Sequence, residues 1–163
     1  MGMILYLRRA PRESLASLRT DPEALSDLLF GKAEGEVTDL DKAWHGLHYL
    51  FTSSDFDADD EPLGFLLVGG ETVGDQGMGP IRAFTPEEVG AISQALEGLD
   101  AAELRRRFDP EEMTELSIYP GAIWTRDPAE DDTLDYLLAY FEQLKTFMRQ
   151  AAQKGLGLLV YMS

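Results

Sequence analysis

The chain has no cysteine among its 163 residues. This removes disulfide bridges, thiolate zinc sites and a thiol nucleophile from its chemistry, and it fits a reducing compartment. Cations are scarce as well. Fourteen Lys and Arg stand against thirty Asp and Glu, a formal net charge of -16, so affinity drawn from Lys and Arg on phosphates is excluded and nucleic acid is not an expected partner. Long apolar runs are also missing. The opening MGMILYLRRAPRE reaches its charges after five apolar residues, too few for a signal-peptide core or a membrane span. No membrane is expected, and the cytoplasm is the expected location. Tyr6 stands where a myristoylation signal needs Ser or Thr.

Catalytic and ligand motifs are absent in the same way. Gly74 is followed by Asp75 rather than the lysine of a phosphate loop, and Gly77 and Gly79 lead into Pro80, Ile81 and Arg82 rather than a dinucleotide fingerprint. No G-x-S-x-G elbow occurs. The acidic run from Asp55 to Glu61 has Asp60 and Leu66 where a calcium loop starting at Asp55 needs Gly and Glu, so it reads as a solvated loop.

What is present concentrates between Asp39 and Thr52, DLDKAWHGLHYLFT, which holds both histidines and one of the two tryptophans. Taken as one helix, Leu40, Ala43, Trp44, Leu47 and Phe51 form an apolar stripe. Asp41, His45, His48 and Thr52 form a second stripe beside it. His48 falls on the border, where an imidazole packs its ring and keeps a nitrogen for a partner. The candidate ligand-binding residues are therefore Asp41, Lys42, Trp44 and His48, with Arg82 or Tyr119 contributing. There His48 would be acid or base, Asp41 its orienting carboxylate, Lys42 or Arg82 an anion anchor and Trp44 a wall. The competing reading is a structural helix whose polar groups are solvated or bonded to neighbouring carbonyls. A metal site of Asp41, His45 and His48 needs ligands from elsewhere, so no metal, no cofactor and no catalytic residue is assigned.

Along the chain, Met3 to Leu7 reads as a buried strand ended by Arg8 and Arg9. Asp21 before Pro22 opens a helix stopped at Gly31, and Pro62 precedes LGFLLV, a short buried helix or strand. Five glycines between Gly69 and Pro80 indicate a surface loop or a ligand-covering flap. Ile81 to Phe84 reads as a strand. Thr85 with Glu88, Asp100 with Glu103 and Asp109 with Glu112 then predict three capped helices over 86–97, 101–108 and 110–116. Ser117 to Trp124 reads as a strand bent at Pro120 and Gly121. The longest helix is expected over 133–154, closed by Gly155, and Leu156 to Met162 reads as a strand buried on both faces. The expected fold is α/β, one compact domain over 1–163 with a small mixed sheet of about four strands and helices on both faces.

Several of these segments resemble the YfbM-like family of bacterial proteins over nearly the whole length. The resemblance lies in Met1-Gly2-Met3, in Asp41-Lys42-x-Trp44-x-x-Leu47-His48, in Gly79-Pro80 with Arg82 leading into Thr85-Pro86-Glu87-Glu88-Val89, in Ile118-Tyr119-Pro120, and in the closing helix and strand. It implies a compact α/β domain. The family is classed as a domain of unknown function, so it implies no activity, and His45 lies outside its pattern. The expectation is a non-enzymatic acidic binding protein, regulatory or immunity-like, with a basic protein partner. The alternative is a small-molecule ligand-binding domain or hydrolase-like enzyme built on Asp41, Lys42, Trp44 and His48 under the 69–80 loop.

Overall fold

The computed structural model describes residues 2–18, 20–30, 36–57, 62–75 and 77–163. Gly31 as a helix stop and residues 58–61 of the acidic run lie outside them. The elements follow in the order β1 (Leu5–Ala10), α1 (Arg12–Ser17), α2 (Pro22–Phe30), β2 (Val37–Asp39), α3 (Trp44–Thr52), β3 (Glu71–Asp75), β4 (Pro80–Phe84), α4 (Pro86–Glu97), α5 (Ala101–Arg107), α6 (Pro110–Glu115), α7 (Thr133–Gln153) and β5 (Gly157–Met162). The strands form one sheet in the order β2-β1-β5-β4-β3.

The α/β architecture is as the sequence indicates, and the sheet has five strands. Every pairing is antiparallel, so it is not the mixed sheet expected. The apolar closing strand β5 lies at its centre. Alternation along the strands divides the side chains between two faces. Leu5, Leu7, Phe84, Leu158 and Val160 join the larger core with the helices from α3 onward. Tyr6, Ile81, Ala83, Leu159 and Tyr161 lie with the apolar residues of α1 and α2. Helices thus cover both faces. Gly157 permits a close approach, because a Cβ there would stand 2.6 Å from the carbonyl of Phe84.

Three sequence readings are corrected. β1 does not stop at Arg8 and Arg9 but runs through them to Ala10, with both side chains buried. Segment 117–124 is no strand. Its backbone is used elsewhere: the Tyr119 N–H donates to the His45 ring, and the Ile118 carbonyl accepts from the Trp124 indole at 2.9 Å, so no ladder forms. The glycine-rich stretch contains edge strand β3, which pairs with β4 across a bulge at Thr72/Gly74. Segment 63–68, undecided in the sequence, is a series of hydrogen-bonded turns.

The helix starts follow local chemistry. Asp100, Asp109 and Asp132 accept from the backbone N–H three residues on. Thr85 forms the full reciprocal box with Glu88, at 3.2 Å and 3.0 Å. Thr85→Ala removes the side-chain acceptor and should lower stability by about 1 kcal/mol. A shifted urea midpoint at unchanged m-value reads this, and an unchanged midpoint would show that the box contributes nothing.

Candidate functional site

The helix holding the candidate residues begins later than its periodicity implies. Asp39 ends β2, Asp41 and Lys42 form a turn, and α3 starts at Trp44. Asp41 has φ of 47°, a left-handed conformation that Asp tolerates better than most residues. Asp41 therefore does not share a helical stripe with His45 and His48, and the geometry behind a three-ligand metal site is lost. Among the described residues no group of three His, Cys, Asp or Glu could hold a metal ion. The stripe Leu40, Ala43, Trp44, Leu47 and Phe51 is buried as expected, but so is every residue from Trp44 to Phe51. A helix without a solvent face must satisfy its polar side chains internally.

His45 does so with both nitrogens. The Tyr119 N–H donates to Nδ1 at 2.8 Å, which leaves the proton on Nε2 to donate to the Asp55 carbonyl at 2.8 Å. Burial lowers its pKa. Its ring stacks on Trp44 at 5.1 Å, Trp44 stacks on Tyr119 at 5.2 Å, and Phe56 packs on its other side at 4.7 Å. These four rings form a ladder from the 117–124 turn to the loop after α3.

The ladder also holds the beginning of the chain. The Trp44 indole donates to the Met3 carbonyl at 3.0 Å, and the Met3 N–H donates to the Tyr119 hydroxyl at 2.9 Å. A Cβ on Gly2 would meet Lys42 Cε at 2.2 Å and the Tyr119 hydroxyl at 2.8 Å, so a larger residue there would displace the ends of those side chains. Asp41 and Lys42 are tied to α7 through one hydroxyl. Tyr136 donates to Asp41 Oδ2 at 2.7 Å and accepts from the Lys42 N–H at 3.2 Å. Burial and the Asp41 carboxylate raise the Tyr136 pKa. Tyr136 and Phe56 carried no local signal in the sequence, since their roles depend on contacts far along the chain.

His48 and Arg82 hold the segments that follow α3. His48 donates from Nε2 to the Asp57 carbonyl at 3.2 Å, while its buried Nδ1 has no hydrogen-bond partner among the described residues. Burial lowers its pKa to about 4. Arg82 donates to the carbonyls of Phe65, Val68 and Gly69 through Nη1 and of Leu66 through Nη2, at 2.5 to 3.2 Å. Its pKa is pushed down to about 10 by burial. From α5, Arg107 donates to the Leu50 and Phe51 carbonyls near the end of α3. Five surface clefts of 140 to 440 Å³ are lined by other side chains, except that Arg82 borders the smallest. The structure thus brings Trp44 and Tyr119 together, ties Asp41 and Lys42 to Tyr136, and directs His48 and Arg82 at backbone carbonyls.

The family described as Domain of unknown function (DUF1877) matches residues 1–161. Protein YfbM of Escherichia coli (strain K12) is 30% identical over 159 residues, 95% of each chain. A crystal structure of a protein of unknown function, YfbM from Escherichia coli, aligns with a TM-score of 0.77 at 27% identity, covering 98% of this chain and 99% of that one.

His48 gives a pH test. Its folded-state pKa of about 4 lies below the unfolded 6.5, so the unfolded chain binds the extra proton in that window. The imidazole's contribution is full above pH 6.5 and lost as pH falls toward 4. Between pH 7 and pH 5 the wild type should lose about 2 kcal/mol more stability than His48→Gln. Urea unfolding at both pH values measures the difference, and equal losses would place the imidazole's titration outside the folding equilibrium.

Proposed function

The chain belongs to the DUF1877 family of YfbM-like proteins, for which no function is established, and on that premise we propose that it is a non-enzymatic binding protein, regulatory or immunity-like, whose acidic surface takes a basic protein partner in the cytoplasm. The observation that carries the reading is a separation of charge. Arg8, Arg9 and Arg82 are buried, whereas no described Asp or Glu is. The outer surface is thus more negative than the formal -16 of the sequence. Such a field speeds association with cations and repels nucleic acid.

The internal use of the candidate polar groups supports binding over catalysis. A general acid or base must reach a substrate proton, and the candidate His48 is fully buried with its Nε2 given to the Asp57 carbonyl. Several surface cations are neutralised locally. Arg12 pairs with Glu87, Arg126 with Asp131 and Arg149 with Glu97.

Tagged full-length protein incubated with extract of its native host should retain identified basic proteins at low salt and release them at high salt, because exposed charge pairs are screened over a Debye length. Recovery of no partner at either salt would sink the proposal.

A further inference from the structure

The three arginines buried in the sheet are not equally served. Arg82 gives hydrogen bonds to four carbonyls. Arg9 donates to Gln150 Oε1 at 3.1 Å and lies 4.6 Å from the Phe147 ring centroid. Arg8 is 6% exposed in the middle of β1, opposite Val37 and Leu159. It donates from Nη2 to the Leu29 carbonyl at 3.1 Å, and its buried Nε has no acceptor among the described residues. Among the described residues no carboxylate pairs with it. A guanidinium carries five N–H donors in a planar fork, and a buried charge left unpaired is strongly unfavourable. None of the described carboxylates fills that position.

Beside Arg8 lies a cleft of 240 Å³. Its other lining residues are Tyr6, Tyr161, Leu29, Phe30, Val37 and Ser163. The two tyrosine rings stack at 5.6 Å, while Phe30 is 73% and Val37 38% exposed, so the apolar rim is open to solvent. From a lining arginine that no described carboxylate pairs and from the apolar rim, we infer that this cleft binds a small carboxylate carried on an apolar or aromatic body. The carboxylate oxygens accept from the unused donors of Arg8, and the body lies against Phe30 and the tyrosine pair. One guanidinium matches one negative charge. A doubly charged phosphate would need further donors and would gain nothing from these walls.

The site is independent of the acidic surface, so either reading fails alone. The test is nuclear magnetic resonance of the full-length protein, following the Arg8 Nε–H and the Tyr6 and Tyr161 rings while benzoate, benzamide or inorganic phosphate is added. Benzoate should move these signals saturably, and the neutral amide and the phosphate should leave the Nε–H in place. Arg8→Met should weaken benzoate by about tenfold or more, the scale of one charge-assisted pair, without lowering the thermal midpoint, because it replaces an unpaired buried charge with an apolar chain. An unmoved Nε–H with benzoate overturns the inference, as does an equal response to benzamide or to phosphate, or full benzoate affinity in Arg8→Met. If Arg8→Met does not fold, the wild-type titrations decide.

Discussion

A helix with no solvent face must find every polar partner inside the protein, and α3 imposes that demand on most of the molecule. Its two histidines and its tryptophan bond backbone groups of the chain's start, of the loop that follows and of the turn before α7, and Arg107 donates to carbonyls near the C-terminal end of α3. The bonds of Trp44, of Arg107 and of the Tyr119 N–H join residues distant in sequence. Net hydrogen bonds contribute modestly, but leaving a buried group unmade costs several times more. The aromatic ladder and the tie at Tyr136 follow from placing a helix with His45 and His48 at the centre of an apolar core.

The distribution of charge follows the same constraint with opposite signs inside and out. Arginine keeps its charge under burial and offers many donors, so it can serve irregular backbone where a carboxylate would find no acceptor for its lone pairs. Arg82 does this for the turns after Pro62, neutralising carbonyls that no strand or helix satisfies. The acids remain in water, where desolvation is avoided and mutual repulsion is screened. The protein is acidic outside partly because part of its positive charge is used as internal scaffold.

Elements specified by neighbouring residues were legible in the sequence. The boxes at Thr85, Asp100 and Asp109 place three helix starts, and the period of α7 and the unbroken apolar run of β5 needed no tertiary information. Edge strands β2 and β3 were not legible, because exposed strands such as Val37–Asp39 carry little apolar alternation and exist through their pairing with β1 and β4. The same limit explains the candidate site. Residue types at helical spacing singled out a fully buried segment, and of the residues quoted for the family resemblance Met3 and Tyr119 meet Trp44. Spacing could not reveal that Asp41 turns out of the helix or that Tyr119 gives its backbone N–H to His45. The strand expected over 117–124 failed for that reason, its apolar residues being anchored one by one rather than along a ladder.

The central place of β5 has a consequence for synthesis. It is the last strand in chain order and the common neighbour of β1 and β4, so the two halves of the sheet have no bridge until it emerges from the ribosome. Until then both strands present open edges on the inner side, the positions most prone to pair with another chain. The nascent polypeptide therefore passes through its most vulnerable form just before its last strand closes the fold.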